Sequence, residues 1–229
     1  MPDQSLKNAE KKLAAEAAVE YIKNGMIIGL GSGSTVYFTI KKIGTLVRQG
    51  LKINAVSTSG STTDLARAEG INLISIDEAG EIDLTIDGAD EVEKNSLNGI
   101  KGGGGALLFE KIVALSSKKN IWAVDSDKLV EKLGKFPVPV EVIPFGCERV
   151  FKIFEKKNLR PVVRRKGDSR YLTDSGNYIF DLHSGDISNA ENLNKEIKLI
   201  NGVIETGLFI GIADEIILAR HDKVEILKK

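Results

Sequence analysis

The stretch that decides the fold of this chain is residues 83–110, which read DLTIDGADEVEKNSLNGIKGGGGALLFE. It starts within an apolar run, residues 82–86, that has the length of a buried strand, and it ends in an apolar helical pattern. The groups that it supplies for chemistry are Asp87 and Asp90 around a Gly88-Ala89 turn, Lys101, the glycines Gly102 to Gly105, and Glu110. In an open α/β sheet, ligands bind where strands end and the following helices begin. We therefore expect these groups to meet in one site.

Further apolar runs of strand length lie on both sides of this stretch, and helical patterns separate them. The runs are Met26–Leu30, Ile53–Val56, Ile71–Ile76 and Ile121–Val124. Strands that alternate with helices over residues 1 to 130 predict a parallel, doubly wound, Rossmann-like sheet. A late strand, Glu215–Ala219, is expected to rejoin that sheet.

The pattern changes after a proline-rich break at residues 133–139. The strands that follow are Val140–Ile143, Arg160–Arg165, Tyr178–Leu182 and Val203–Ile210, and the helices are Cys147–Lys157 and Ser188–Ile200. The order β-α-β-β-α-β predicts a smaller ferredoxin-like α+β domain. The predicted domains are therefore a Rossmann-like catalytic domain, residues 1–133 plus 205–229, and a lid or assembly domain, residues 134–204.

Composition argues against several classes of protein. Lys+Arg and Asp+Glu both number 32, so the net charge is +0 and gives no reason to expect a nucleic-acid partner. No apolar run approaches the roughly 20 residues that cross a bilayer, and residues 1–25 lack the unbroken apolar segment of a signal peptide. Cys147 is the single cysteine, which excludes an intrachain disulfide and fits a reducing compartment. We expect a cytoplasmic protein without a membrane partner.

Histidine and cysteine are too sparse and too scattered for metal or nucleophile chemistry. His183 and His221 are the two histidines, and the sequence has neither an H-x-x-H nor a C-x-x-C pattern. Cys147 precedes a helical pattern, where a thiolate could be stabilised, but a buried residue at the start of a helix is the favoured explanation. No metal is therefore expected.

A turn of small residues, Gly31-Ser32-Gly33-Ser34-Thr35, joins the first strand to a helical pattern at 36–49. Backbone N–H groups and hydroxyls in this arrangement can cradle a phosphate. Counted from Gly29, the third glycine of a dinucleotide fingerprint would fall on Ser34, and the next strand ends in hydroxyl residues rather than an acid. NAD is therefore disfavoured and a small phosphate ester fits better. A tight turn without any ligand is the alternative.

Other candidate residues also have ordinary structural explanations. Lys11, in the first helix, and Lys128, after a strand, have the pattern of solvated surface lysines. Asp87 and Asp90 could be turn formers, and Glu110 could be a surface residue of its helix. Taken together, however, a base, a lysine and glycine amides suit proton abstraction beside a carbonyl, as in aldose–ketose isomerisation through an enediolate. Glycine matters in this loop because a Cβ would block close approach of the backbone.

Several long motifs carry a resemblance to a known family. They are GLGSGST (29–35), DGADEVE (87–93), IKGGGGALLFEKIVA (100–114), GKFPVPVEVIP (134–144) and NGVIETGLF (201–209). By these motifs the chain resembles, nearly from end to end, the ribose-5-phosphate isomerases of the A type. The resemblance implies a Rossmann-like domain with a ferredoxin-like domain. It also implies interconversion of ribose 5-phosphate and ribulose 5-phosphate in the non-oxidative pentose phosphate pathway, no metal or organic cofactor, and a homodimer or homotetramer.

The resemblance also implies roles for individual residues. Glu110 resembles the base that shuttles a proton between C1 and C2, and Asp87 resembles the acid that helps to open the furanose ring. Asp90 and Lys101 resemble groups that hold and polarise the open-chain oxygens. The further positions that match substrate-binding residues of the family are Lys11, Ser32, Gly33, Ser34, Thr35, Gly88, Ala89, Gly102, Gly103, Gly104 and Lys128.

One position departs from the family pattern, since Gly105 stands where alanine is common. Glycine inside a helix costs about 0.5–1 kcal/mol relative to alanine, so we expect a looser start of the helix that carries Glu110. A protein of another class, a sugar-phosphate sensor without turnover, would share the fold. The pairing of Glu110 with Lys101 favours an enzyme, because a sensor needs a phosphate site but no base.

Overall fold

The structure is a computed structural model that describes residues 4–228. The α-helices of this part of the chain are α1 (Gln4–Val19), α2 (Ser34–Arg48), α3 (Gly60–Ala68), α4 (Ile76–Ala79), α5 (Leu107–Leu115), α6 (Cys147–Lys156) and α7 (Ala190–Lys198), and Ser126–Lys128 forms a 3-10 helix. None of the helices described is both long enough and apolar enough to cross a membrane.

The strands are short. They are β1 (Ile27–Leu30), β2 (Asn54–Ser57), β3 (Asn72–Leu73), β4 (Leu84–Asp87), β5 (Glu91–Glu93), β6 (Gly99–Ile100), β7 (Asn120–Asp125), β8 (Leu129–Val130), β9 (Val138–Val142), β10 (Pro161–Val163), β11 (Arg165–Lys166), β12 (Ser169–Arg170), β13 (Tyr178–Leu182), β14 (Val203–Thr206), β15 (Leu208–Phe209), β16 (Glu215–Arg220) and β17 (Lys223–Lys228).

The chain forms two compact units. The first consists of Met1–Ala89, Phe109–Leu129 and Gly211–Lys229, and the second of Asp90–Leu108 and Val130–Ile210. The sequence places residues 90–108 in the first domain, whereas here they belong to the second unit. The stretch 83–110 therefore passes from the first unit to the second and back again. The domain boundaries deduced from the sequence stay a prediction.

The first unit is built on a seven-stranded sheet with the order β17-β16-β7-β4-β1-β2-β3. All its neighbouring strands are parallel except β16 and β17, which form an antiparallel hairpin. The strand order reverses between β1 and β4, so this is a doubly wound sheet with its topological switch point there. The predicted Rossmann-like sheet is confirmed, including the return of β16. The edge strand β17 was not predicted.

Period-two alternation along the strands sends apolar side chains to both faces of this sheet. Ile28 and Ile86 belong to a large core that packs against helices on one face. Val56 belongs to a smaller core that includes Ala79 of α4 and Val113 of α5. A parallel sheet requires cover of this kind on both faces, because its strands are buried throughout.

The second unit contains the β-α-β-β-α-β order deduced from the sequence. Its antiparallel sheet has the order β10-β13-β9-β14, with α6 between β9 and β10 and α7 between β13 and β14. This arrangement confirms the ferredoxin-like unit.

The expected single strand at residues 203–210 is wrong. It is split into β14 and β15, which join different sheets, and Gly207 separates them. A Cβ on Gly207 would lie 2.3 Å from the Lys101 carbonyl oxygen, so glycine allows two backbone segments to approach closely at this point. β15 belongs to a small sheet, β15-β6-β5-β8, that the sequence did not indicate.

Candidate active site

Candidate residues of the first unit lie at the carboxyl edge of its sheet. The 31–35 turn follows β1, Asp87 ends β4, and the 3-10 helix with Lys128 follows β7. These three strands are neighbours in the order β7-β4-β1, beside the switch point. Open α/β sheets bind their ligands in this crevice. The structure therefore places the 31–35 turn, Asp87 and the segment with Lys128 at one edge of the sheet, as the sequence predicts for the ends of parallel strands.

The 31–35 turn presents backbone amides at the start of α2. Gly33 has φ 99° and no side chain caps the helix, and both Gly33 and Ser34 are exposed. An uncapped helix start is a favourable anion site, because its N–H groups converge and the helix dipole is positive there. The Ser32 hydroxyl points elsewhere, within 2.8 Å of Ser59 Oγ and 2.9 Å of Thr58 Oγ1. The Ser32 hydroxyl therefore links the turn to the residues that follow β2.

Asp87 is buried against this turn, with 2% of its surface exposed. Its Oδ1 accepts hydrogen bonds from the Ser32 N–H at 3.1 Å and the Gly88 N–H at 2.7 Å. A Cβ on Gly31 would lie 1.9 Å from the same oxygen, so glycine is what lets the carboxylate reach the turn. The carboxylate is thereby held in one orientation beside the proposed phosphate seat.

Glu10 ties the first helix to the segment that carries Lys128. Its Oε2 accepts from the Ser126 N–H at 3.0 Å and the Ser126 hydroxyl at 2.8 Å, and its Oε1 accepts from the His221 N–H at 2.7 Å. Burial alone would raise the pKa of the Glu10 carboxyl, but the hydrogen bonds from His221 and Ser126 hold it below its usual value. Lys11, the next residue, is therefore fixed near the same sheet edge; Lys11 and Lys128 are both half-buried.

Glu110 lies in the first turn of α5, where the helix dipole favours an acidic side chain. It is 4% exposed, so the interpretation of Glu110 as a surface residue is wrong. The helix belongs to the first unit from Phe109 onward.

The remaining candidates lie in the second unit. Lys101 is 3% exposed, and its Nζ lies 5.3 Å from the centroid of the Phe209 ring. Its backbone N–H donates to the Gly207 carbonyl at 2.9 Å. Asp90 accepts from the Gly103 N–H at 2.7 Å, and a Cβ on Gly103 would lie 2.6 Å from Asp90 Oδ1. The backbone of the glycine loop thus packs directly against the Asp90 carboxylate, as the backbone at Gly31 packs against Asp87.

Side chains from far along the sequence hold the carbonyls of this loop. The Arg164 guanidinium donates to the carbonyls of Gly102, at 2.7 Å, and Gly103, at 3.1 Å. The Tyr171 hydroxyl donates to the Gly104 carbonyl at 3.2 Å. Burial raises the pKa of the Tyr171 phenol, which keeps it a donor at neutral pH. No local motif marks Arg164 or Tyr171, and sequence reasoning missed both.

Gly105 needs a different explanation from the one that the sequence suggests. It precedes α5 rather than lying in it, because the helix begins at Leu107, and its φ is +91°. A helix-propensity cost therefore does not apply. A Cβ on Gly105 would lie 2.3 Å from the Tyr171 hydroxyl oxygen, so glycine is required both by the backbone conformation and by the tyrosine.

Each unit by itself presents groups that suit a phosphorylated polyhydroxy ligand: amide, hydroxyl and lysine donors, and carboxylate acceptors. Within residues 4–228, no group of three or more His, Cys, Asp or Glu side chains is placed to hold a metal ion.

Comparison with known proteins gives one consistent family. Residues 54–223 match the family model described as ribose 5-phosphate isomerase A (phosphoriboisomerase A). Ribose-5-phosphate isomerase A of Streptococcus agalactiae is 50% identical over 220 residues, covering 96% of this chain and 98% of its own length.

Solved structures agree in fold over nearly the whole chain. Ribose 5-phosphate isomerase A of Methanocaldococcus jannaschii superposes with a TM-score of 0.92 at 40% identity, covering 97% of this chain and 100% of that one. A D-ribose-5-phosphate isomerase in complex with phospho-erythronic acid superposes with a TM-score of 0.93 at 38% identity, covering 96% and 98%. The chain belongs to the ribose 5-phosphate isomerase A family.

Proposed function

We propose that this protein interconverts D-ribose 5-phosphate and D-ribulose 5-phosphate through an enediolate, with Glu110 as the base. The observation that carries the proposal is the burial of two ionisable side chains within ten residues of sequence, Lys101 at 3% and Glu110 at 4% exposure. Burying charged groups is costly for a fold, and such groups concentrate at functional sites.

The reaction needs one base that acts at two neighbouring carbons. Glu110 removes the C2 proton of the open-chain aldose while the C1 carbonyl oxygen gains the negative charge. The same carboxyl then returns the proton to C1, and O2 becomes the ketone oxygen as its hydroxyl proton passes to O1. Lys101 and the N–H groups of Gly102 and Gly104 stabilise the oxyanion, because donors placed in advance lower the barrier for charge development.

The remaining roles follow from the contacts at each carboxylate and turn. Asp87, held in one orientation by Ser32 and Gly88, exchanges a proton with the ring oxygen when the furanose opens. Asp90 binds the sugar hydroxyls. The amides of Gly33 and Ser34 with the Thr35 hydroxyl bind the phosphate, and Lys11 and Lys128 add positive charge. Gly88 and Ala89 pass beside the substrate as backbone contacts.

A related structure supports the class of ligand. One member of the family is solved with phospho-erythronic acid, a phosphorylated aldonic acid. The two oxygens of a carboxylate lie in one plane, like the two oxygens of an enediolate. A site that binds an aldonic acid phosphate therefore offers donors where the enediolate would place its charge.

The proposal is tested by following ribulose 5-phosphate formation from ribose 5-phosphate, with and without EDTA, in deuterium oxide. We expect turnover that survives EDTA and product that carries solvent deuterium, because a carboxylic acid exchanges its proton when the enediolate lives long enough. Binding of ribose 5-phosphate without turnover would reject the enzyme and support a sensor. Loss of activity in EDTA, restored by a divalent ion, would reject the metal-free mechanism.

The sequence also predicts a cytoplasmic homodimer or homotetramer that binds neither nucleic acid nor membrane, and we include these features in the proposal. Isomerisation of a sugar phosphate requires neither nucleic acid nor a membrane. Light scattering coupled to size-exclusion chromatography would give the assembly directly, and a monomer at working concentration would contradict it.

A further inference from the structure

Arg164 makes a set of contacts that fold stability alone does not require. It follows β10, and its guanidinium forms a two-point ion pair with Asp181 of β13, in which Nε donates to Oδ2 at 2.9 Å and Nη2 donates to Oδ1. Its third nitrogen, Nη1, reaches the carbonyls of Gly102 and Gly103. The Arg164 and Asp181 side chains are only 14% and 15% exposed. One guanidinium thus bridges a strand of the ferredoxin-like sheet and the glycine loop.

Holding these two carbonyls also fixes the N–H groups of the same peptides. In a trans peptide the C=O and the N–H point in opposite directions. Because the Gly102 carbonyl faces Arg164, the Gly103 N–H faces the other way, and there it donates to Asp90 Oδ2 at 2.7 Å. Because the Gly103 carbonyl also faces Arg164, the N–H of the exposed Gly104 points away from the guanidinium.

We propose that Arg164 is a positioning residue for the isomerase reaction: by holding the two peptides that join Gly102, Gly103 and Gly104, it orients the Asp90 carboxylate and the Gly104 N–H toward the substrate. This inference rests on the proposed function. Arg164 itself touches no reacting atom. Its effect passes through the backbone, and Asp181 holds the guanidinium in the required plane.

The loop needs this support because its sequence gives it none. Glycine loses more conformational freedom on folding than any other residue, so four in a row populate many conformations unless contacts select one. Arginine suits the task because its planar fork can bind a carboxylate with one edge and carbonyls with the remaining nitrogen. A lysine has one nitrogen and would have to give up one set of partners. Tyr171 adds one hydrogen bond to the Gly104 carbonyl and contributes less than Arg164 to holding the loop.

The test compares Arg164→Lys with Arg165→Lys in the full-length protein. Arg165 is the matched control, because it is exposed and its guanidinium donates to the carbonyl of Asp168 at 2.8 Å. We expect Arg164→Lys to lower kcat for ribose 5-phosphate about 10²-fold, the loss typical of a catalytic group displaced by about 1 Å, with KM changed less than threefold. The KM should hold because the turn at 31–35 binds the phosphate without contact from Arg164.

A second pair of measurements separates positioning from folding. Arg164→Ala should regain at least tenfold in kcat when methylguanidinium chloride is added, with no such gain for Arg164→Lys or the wild type. Asp181→Asn, which keeps the size of the side chain, should lower kcat in the same direction with the KM unchanged. If Arg164→Lys is too unstable to assay, the rescue and the Asp181→Asn result decide.

Two outcomes would overturn the inference. One is a kcat of Arg164→Lys within twofold of that of Arg165→Lys. The other is a rise in the KM of Arg164→Ala and Asp181→Asn with kcat unchanged, and no gain in activity when methylguanidinium is added to Arg164→Ala. Failure of the proposed function looks different, because the wild type and Arg165→Lys would then be inactive with ribose 5-phosphate as well.

Discussion

The two loops that we propose to bind the substrate through backbone amides are supported in two different ways. The turn at 31–35 is held by a neighbouring strand end, Asp87, and by the helix that it starts. The loop at 101–105 is held by Arg164 and Tyr171, at sequence separations of 62 and 67 from their partners in the loop. In the first loop, helix geometry makes the amides converge. In the second, Arg164 holds two peptide carbonyls and Tyr171 holds a third.

Each loop contains a glycine whose lack of a Cβ lets a carboxylate lie close to the backbone. Asp87 lies against Gly31, and Asp90 lies against Gly103. The burial differs, because Asp87 is 2% exposed whereas Asp90 is half-buried. We therefore expect substitutions at Gly31 to disturb the core of the first sheet, and substitutions in the second loop to affect the fold less. The predictions below test that contrast.

The largest effect is expected at Glu110, the proposed base, which follows the second loop. Glu110→Gln preserves shape and hydrogen bonding but removes proton abstraction, so kcat should fall by about 10²–10⁴-fold with little change in KM. The exposed Glu20→Gln serves as the control. Steady-state kinetics with ribose 5-phosphate measures both. A variant that keeps near-normal turnover would show that the 101–110 segment binds substrate but does not catalyse.

Gly31→Ala and Gly103→Ala should have different effects, although each glycine lies against a carboxylate. Gly31→Ala places a Cβ 1.9 Å from Asp87 Oδ1 inside the core, and should destabilise the fold by about 1–3 kcal/mol as well as lower activity. Gly103→Ala places a Cβ 2.6 Å from Asp90 Oδ1 in an exposed loop, and should lower kcat with a smaller change in thermal midpoint.

Gly104→Ala is the matched control for the thermal midpoint of Gly103→Ala, since nothing lies within 4 Å of its Cβ; its kcat is not a control, because the Gly104 N–H is a proposed substrate contact. Calorimetry gives the thermal midpoints and the isomerase assay gives kcat for all three variants. Equal thermal losses in Gly31→Ala and Gly103→Ala would contradict the expected contrast between the two loops.

Thr35→Ala probes the first turn at its phosphate contact. The hydroxyl is proposed to bind the phosphate equally in the ground state and the transition state, so KM should rise about tenfold, the equivalent of one hydrogen bond of about 1.4 kcal/mol, with kcat unchanged. Thr45→Ala, on the exposed side of the same helix, provides the comparison. A loss confined to kcat would move Thr35 from phosphate binding to the chemical step.

The smallest expected effect is a change of stability with pH in the region that holds the second loop. Glu141 is 1% exposed and accepts hydrogen bonds from Thr173 and Asn177, both at 2.9 Å, just beyond Tyr171. Burial raises the pKa of the Glu141 carboxyl above its usual 4.5. A raised pKa means that the folded state binds the proton more tightly, so this stabilisation is complete below pH 4.5 and is lost as the pH rises through the folded-state pKa.

Thermal midpoints of the wild type and Glu141→Gln between pH 4 and pH 8 test this sign. The thermal midpoint of the wild type minus that of Glu141→Gln should decrease as the pH rises. The same difference for the exposed Glu155→Gln should not change with pH. A difference that increases with pH would reverse the assignment for Glu141.

Much of the candidate site was predictable because its signals are local. The 31–35 turn, the position of Asp87 at a strand end and the glycine run before an apolar helix all depend on near neighbours in sequence. The buried state of Glu110 was left open, since one helical period cannot tell which neighbour will cover it. Glu10 gave no signal, because its partners Ser126 and His221 are 116 and 211 residues away.

The sequence by itself determined the alternation of strands and helices, hence the parallel, doubly wound sheet and the ferredoxin-like unit. It also determined the chemical groups of residues 87–110, because residue type and spacing are written in the chain. The tertiary structure alone decided the break of residues 203–210 at Gly207, the edge strand β17, and the contacts of Arg164, Asp181 and Tyr171. These depend on which distant strands pair and in which register, and a one-residue change in register would turn every such side chain to the opposite face.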